Sequence, residues 1–332
     1  MAKKVDDAFA EFMKDDVDLD PTKVDAAKSS KSNLLDNIKD FDDGKFFRLY
    51  SDINIEFGSF ARKTKIRPLD DIDIMIGIAA DGATYNQNDA WNNVKVTAST
   101  TNAIQKSCAN FDGTLNSTAV LNRFLSKLKQ LPDYKKSEIH KNGEAVTLNL
   151  TSREWAFDIV PCFQTVVEED NRNYYLIPNG RGGWQKTDPR VDRDYVKSVN
   201  SMKNGRVLSL VRLCKKWFEV KRFETPASYL LETLIVRYCD RVDDLNQFID
   251  CRFSHCLKSI VDDIQKPIYD MKGIQGDINN ISVLNRIKIA SKANSDYQKS
   301  REAIITETKL YDQESAINIW HEIFGEDFPT YG

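Results

Sequence analysis

Much of what this chain is not can be read from what it lacks. Neither charge is in excess: Lys and Arg total 47 and Asp and Glu 50 among 332 residues, a net charge of −3. Such a mildly acidic chain is poorly suited to wrapping duplex nucleic acid, though it can carry a local basic pocket. Long hydrophobic runs are missing. The longest nearly apolar stretch, Ile74 to Ala80, falls far short of the ~18–20 residues a membrane helix needs. The start, Met-Ala-Lys-Lys-Val-Asp-Asp, has no apolar core behind its charges and does not read as a signal peptide. The six cysteines, at 108, 162, 214, 239, 251 and 256, are scattered, which reads as reduced thiols in a soluble, cytoplasmic protein. Repeats and low-complexity stretches are also absent. With 41% apolar and 29% charged residues, disorder throughout is excluded, and the length suggests about two domains.

What is present is a change of pattern along the chain. Asp20-Pro21 pairs a capping acid with proline at a first helical position. Val24, Ala27, Leu34, Leu35, Ile38 and Phe41 then recur on one face until Asp43-Gly44, which predicts a long N-terminal helix spanning a lobe. Residues 47–57 read as a strand, 71–78 as a second, and 115–131 as an amphipathic helix stopped by Pro132. A hairpin is expected over 137–150, turning at Lys141-Asn142-Gly143, with further strands over 155–167 and 174–177. Beyond Pro189 nearly everything reads as helix, with Pro226 at a helix start, a loop over 267–280 and an exposed tail from Phe328 to Gly332. The expected fold is α+β and bilobed: a mixed α/β lobe with a central β-sheet, residues 1–185, then an all-helical lobe, 186–332. A cleft between two such lobes is a usual place for a ligand.

The chemistry concentrates in one stretch and one distant acid. Asp71 and Asp73 stand two apart on an expected strand and project from one face, while Ile72 points the other way into the core. Paired hard oxygens of this kind suit Mg²⁺ accompanied by substrate phosphates. Asp158, inside the apolar strand Trp155-Ala-Phe-Asp-Ile-Val-Pro161, is costly to bury alone and would complete a two-metal site. Gly58-Ser59, twelve residues before Asp71, predicts a tight turn into a short helix whose N–H groups and Ser59 hydroxyl could meet a phosphate. A Gly-Ser pair alone is a turn, and an Asp-x-Asp alone is a solvated strand end; the conjunction carries the weight. Together these parts would hold a nucleoside triphosphate and leave its α-phosphorus open to a hydroxyl.

The Gly-Ser…Asp-x-Asp…Asp pattern resembles that of the DNA polymerase β-like nucleotidyltransferases. The wider context narrows this. Gly58-Ser59-Phe60-Ala61-Arg62, Arg67-Pro68-Leu69-Asp70-Asp71-Ile72-Asp73 and Phe157-Asp158-Ile159-Val160-Pro161 resemble the cGAS/DncV-like nucleotidyltransferases (CD-NTases) of bacterial CBASS anti-phage systems. Trp184-Gln-Lys-Thr187-Asp188-Pro189 is similar to a later family element, with Asp188 where Asn is more usual. Arg212-Leu213-Cys214-Lys215-Lys216-Trp217, Ser228-Tyr229-Leu230-Leu231-Glu232 and the segment from Trp320 to Pro329 follow in family order.

The resemblance implies that Asp71 and Asp73 hold two Mg²⁺ ions, with Mn²⁺ an alternative, and that Asp158 holds the catalytic metal and helps deprotonate the attacking ribose hydroxyl. It assigns the donor triphosphate to Gly58 and Ser59, further phosphate contacts to Lys215 and Ser228, and base stacking to Tyr229. It implies a template-independent synthase that joins nucleoside triphosphates, ATP and GTP favoured, into a cyclic di- or trinucleotide second messenger of purine-containing, cGAMP type. A separate effector would read the product in antiviral defence. Two other readings stay open: a nucleotidyltransferase acting on RNA, a protein or a small molecule, and a catalytically silent scaffold. Base identity, ring size, linkage and activation signal are not legible in the motifs.

Several further signals carry less. Cys239, Cys251, His255 and Cys256 are zinc-ligand types but lie in an amphipathic helical pattern, and relatives with a zinc insertion space its ligands more closely. Asn179-Gly180-Arg181-Gly182-Gly183 reads as a flexible loop from which Arg181 could reach a substrate. Arg62, Lys63, Lys65 and Arg67 read as a solvated basic loop, and Lys135-Lys136 as a solvated face. Gly332 ends a tail that would suit attachment by a ubiquitin-like conjugation enzyme, as in some CBASS operons.

Overall fold

The computed structural model describes residues 2–223 and 227–332; Pro226 lies outside the described residues. Two N-terminal helices come first, the short α1 (Val5–Phe12), which continues into a π turn at Met13–Val17, and the long α2 (Pro21–Lys39) that the sequence predicts. The segment to Ala61 holds β1 (Ile55–Phe57) and the one-turn α3 (Gly58–Ala61). Then come β2 (Asp71–Gly77), the small pair β3 (Thr84–Tyr85) and β4 (Val96–Thr97), α4 (Ala103–Ser107) and α5 (Ser117–Gln130). Five strands follow: β5 (Glu138–Asn142), β6 (Ala145–Asn149), β7 (Ala156–Gln164), β8 (Tyr175–Pro178) and β9 (Trp184–Thr187). The remainder is helical: α6 (Pro189–Met202), α7 (Val207–Val220), α8 (Ser228–Arg241), α9 (Ile249–Asp263), α10 (Val283–Leu310) and α11 (Gln313–Phe324). None of the described helices is long and apolar enough to cross a membrane.

The chain divides into two compact units. A sheet unit comprises Thr22–Ala61 and Leu69–Arg190; a helical unit comprises Met1–Pro21, Arg62–Pro68 and Val191–Gly332. Where the sequence suggests one cut near residue 185, the amino-terminal segment and the short stretch 62–68 group with the later helices. The reason is visible in the helical unit's own core. Phe9 and Phe12 of α1 lie edge-on or tilted against Trp320, Phe324 and Phe328, so α1 is an integral part of that core.

In the sheet unit a seven-stranded sheet runs β1-β2-β7-β6-β5, with β8 and β9 continuing from β7. β2 and β7 pair in parallel, and the other neighbours are antiparallel. A parallel pair needs a long crossover, here residues 78–155. On β2, Ile72 and Ile74 are buried while Asp71 and Asp73 stay half-exposed, the alternation a period of two demands. Helix α5 is capped by the Asn116 side chain, which accepts from the N–H groups of Thr118 and Ala119. It buries Val120, Leu121, Phe124 and Leu128 and ends before Pro132.

Three expectations shift. The strand expected over 47–57 shortens to Ile55–Phe57, because Ser51–Ile53 forms a 3₁₀ turn and the Asn54 side chain takes the Gly77 N–H that a ladder would use. β9 and the β3/β4 pair form where no strand is expected. The tail is not free over its whole length: Phe328 is buried and stacks on Phe324, and the backbone of Thr330 and Gly332 bonds to Ala2.

Candidate active site

The sheet register assembles the site in the sheet unit. Asp73 lies opposite Asp158 on β7 and Phe57 on β1, and Asp158 in turn lies opposite Thr147 on β6. Directly opposed residues share a face, so Thr147, Asp158, Asp73 and Phe57 form one row across four strands. Asp71, two residues from Asp73, joins that face. Among the described residues this is the one group of three or more acids, histidines or cysteines with metal-ligand geometry: a carboxylate oxygen from each of Asp71, Asp73 and Asp158 lies within 4.8 Å of the others. The Thr147 hydroxyl donates to Asp158 Oδ1 at 2.6 Å. Sequence patterns alone do not single out Thr147; knowledge that β6 pairs with β7 would have.

Gly58 ties the turn to the acids. Its φ is +72°, and a Cβ there would come within 1.8 Å of Asp73 Oδ2. Only glycine gives both the left-handed backbone and the clearance. Ser59 follows on α3 and is buried. Three half-exposed carboxylates this close repel by roughly 3 kcal/mol per pair at an effective dielectric of 20, and their donor set is all hard oxygen, so it fits Mg²⁺ or Mn²⁺.

The other expected nucleotide-binding residues lie in the helical unit, around a carboxylate the motif reading did not assign a role. Glu232 is fully buried (0% exposed). It accepts from Arg62 Nε at 2.8 Å, from Lys215 Nζ at 2.5 Å and from Ser228 Oγ at 3.0 Å. Lys215 also donates to the Thr64 carbonyl at 2.9 Å. Burial pushes the Glu232 carboxyl up, but Arg62 and Lys215 outweigh it and hold the pKa at about 2. Burial lowers Lys215 despite Glu232, whereas Glu232 overcomes burial to raise Arg62. Arg62, which Asp192 also faces, is thus the better-compensated cation. Arg62 is therefore no solvated loop residue, and Arg67, which donates to the carbonyls of Asp18 and Lys14, is likewise tied down.

Tyr229 is half-buried, and its single hydroxyl proton is shared between two carboxylates within hydrogen-bond reach, Asp192 at 2.7 Å and Asp270. Lys272 Nζ stands 3.8 Å from the centre of its ring. Burial and Asp192 raise the phenol strongly; burial raises Asp192, while Lys272 and the Tyr229 hydroxyl overcome burial to lower Asp270. Arg181 sits at the exposed tip of the β8–β9 hairpin, where Asn179 Oδ1 accepts from the N–H groups of Arg181 and Gly183. Asp188 is buried, pairs with Arg190 at 2.7 Å and accepts its N–H at the start of α6. Cys239 and Cys256 are buried in helices, with Cys256 Sγ 3.6 Å from Cys214 Sγ. The four zinc-type residues form no ligand group among the described residues. Gly332 is exposed.

Residues 3–130 match the Second Messenger Oligonucleotide or Dinucleotide Synthetase domain. The whole chain is 37% identical over 338 aligned positions to a probable cyclic nucleotide synthase of Bacillus cereus (strain VD146), covering 100% of this chain and 99% of the relative. The chain belongs to the cGAS/DncV-like nucleotidyltransferases. Membership makes it a nucleotidyltransferase of the α+β, polymerase β-like fold. A more distant member, the cyclic AMP-AMP-AMP synthase of Escherichia coli (strain MS 115-1), is 21% identical over 96% of both chains. The solved structure of E. coli MS115-1 CdnC with ATP superposes with a TM-score of 0.69 at 18% identity, covering 97% of this chain and 98% of that one.

Proposed function

We propose that the protein is a divalent-metal-dependent cyclic oligonucleotide synthase acting on ATP and GTP, and that its product, a purine-containing cyclic di- or trinucleotide, serves as an anti-phage second messenger. The observation that carries the reading is the row Thr147, Asp158, Asp73 with Asp71 beside it and Gly58 pressed against Asp73. The name of the 37% identical relative supports it.

Asp71, Asp73 and Asp158 would hold Mg²⁺. When bound, the ions would polarise the triphosphate and neutralise its developing charge. Ribose hydroxyl attack at the α-phosphorus forms a new phosphodiester, breaks the α–β anhydride bond and releases pyrophosphate. Asp158, its Oδ1 held by Thr147, takes the hydroxyl proton at Oδ2. Gly58 and Ser59 bind phosphate oxygens of the donor, and Lys215 and Ser228 add phosphate contacts. A lysine is a point charge suited to phosphate. Tyr229 takes the base by stacking, worth ~1–3 kcal/mol, and Arg181 contributes a substrate contact. Attachment of Gly332 by a ubiquitin-like conjugation enzyme belongs to the same defence reading and requires the tail to leave Ala2.

The deciding experiment incubates the wild-type protein with Mg²⁺ and all four triphosphates, each α-labelled in turn, and then with ATP alone. A phosphatase-resistant, ring-closed product seen by mass spectrometry is expected. A ring made from ATP alone would match the name of the cyclic AMP-AMP-AMP synthase and replace the cGAMP type. Only linear or transferred label would sink the proposal.

A further inference from the structure

Away from the acid triad the sheet unit carries a polar cavity of about 410 Å³, lined along one face of α5 by Asn122, Arg123, Ser126 and Lys127 and walled by Lys45 and Ser107. None of its lining residues belongs to the acid triad, and no carboxylate lines it. In a chain of net charge −3, three cations around one cavity with no lining acid make a local field of the opposite sign.

Arg123 shows that the cavity is built for an anion. Its guanidinium is held by neutral acceptors alone: Nε donates to Cys108 Sγ at 3.2 Å, Nη1 to the Lys45 carbonyl at 3.4 Å and Nη2 to Ser107 Oγ at 2.5 Å. Three of its five N–H donors are used, so the fork is oriented while its charge is not cancelled. Among the described residues no carboxylate pairs with Arg123 or Lys45. Lys127 alone is paired, with Asp43 from outside the lining. The cavity therefore keeps two uncompensated positive charges beside serine and amide donors, the donor set that takes a doubly charged phosphate monoester, with Arg binding it bidentately. The volume falls in the range of small-molecule sites.

We propose that this cavity is a binding site for a phosphomonoester of about the size of a nucleoside monophosphate, separate from the reaction's triphosphates. A triphosphate arrives with Mg²⁺, and the cavity offers no carboxylate to receive the metal. The proposal stands whether or not the reaction product is cyclic.

The test is calorimetric titration of the full chain with AMP in EDTA, which removes metal-dependent binding at the acid triad. Adenosine, inorganic phosphate and a short DNA duplex serve as comparison ligands. Saturable binding of AMP and of phosphate is expected, without binding of adenosine. It should persist in Asp73→Asn and weaken at least about tenfold in Arg123→Gln and in the exposed-site variant Lys45→Gln, with melting temperatures unchanged. Equal binding by wild type and both variants, equal binding of adenosine, displacement of AMP by the duplex, or no saturable heat would each overturn the proposal.

Discussion

In the sheet unit three carboxylates crowd onto one face, half-exposed. In the helical unit one carboxylate is buried completely between two cations and a serine. The first arrangement is set by strand register and is held apart from its electrostatics: β2 and β7 pair through their backbones and apolar neighbours, so the fold tolerates the repulsion. The second depends on its electrostatics as well as on packing. Glu232 on α8 and Lys215 on α7 are brought together by helices that share one apolar core, and with Arg62 of the 62–68 segment their charges are matched out of water. Mutations in the two places should therefore fail differently, the triad in turnover and the cluster in stability.

The largest effect expected is on turnover. Asp73→Asn should lower product formation by at least ~10²–10³, since charge placed at a developing transition state supplies much of such catalysis. Its thermal unfolding should match or exceed that of the wild type, because one repelling charge is gone. Asp158→Asn should behave alike. A variant that loses both activity and several degrees of melting temperature would mean that the triad is structural, and the contrast would fail.

That contrast also explains what could be read from the sequence. Asp71, Ile72 and Asp73 alternate along one strand, so their faces follow from a period of two, and Gly58-Ser59 lies near in the chain. Asp158 is legible as an acid in an apolar strand. The register that sets it opposite Asp73 depends on pairing across a long crossover, which local patterns do not encode, and Thr147 comes opposite it through the register of the antiparallel β6–β7 pair. The Glu232 cluster joins residues 62, 215, 228 and 232, so its meaning appears only once α7, α8 and the 62–68 segment are packed. For the same reason Arg62 reads as a solvated loop cation when taken with its sequence neighbours. Phe47 to Phe57 reads as a strand because its composition is right, and it is shortened by one side chain, Asn54, competing for a backbone donor.

The second effect is on stability. Glu232→Gln takes from Lys215 and Arg62 the carboxylate both are bonded to, leaving Arg62 only the field of Asp192, and breaking a buried pair this way costs on the order of 3–5 kcal/mol; denaturant unfolding at pH 7 would measure it. Lys215→Met should cost less, because Arg62 still faces Glu232. Acid sharpens the same point. The Glu232 carboxyl, near 4.5 when unfolded, falls to about 2 in the fold, so its contribution is fully present above about pH 4.5 and fades as the pH falls towards 2. By linkage that is roughly 3 kcal/mol. Between pH 5 and 2 the wild type should therefore lose that much more stability than Glu232→Gln. Parallel losses would show that the cations do not hold the charge on Glu232.

The smallest effect tests whether the triad, too, has a positioned partner. Thr147→Val keeps shape and β-branching on β6 but removes the hydroxyl that donates to Asp158 Oδ1. A single hydrogen bond to a charged group contributes about 1.5–3 kcal/mol when buried. Asp158 is half-exposed, so water replaces much of the loss, and stability should stay within about 0.5 kcal/mol. Orientation is not replaced by water. If Thr147 fixes which Asp158 oxygen faces the attacking hydroxyl, turnover should fall about three- to tenfold with the apparent affinity for triphosphate unchanged, and Thr147→Ser should restore it. Unchanged turnover in Thr147→Val would mean that register alone orients Asp158, placing the entire burden of the triad's geometry on the backbone pairing of β2 with β7.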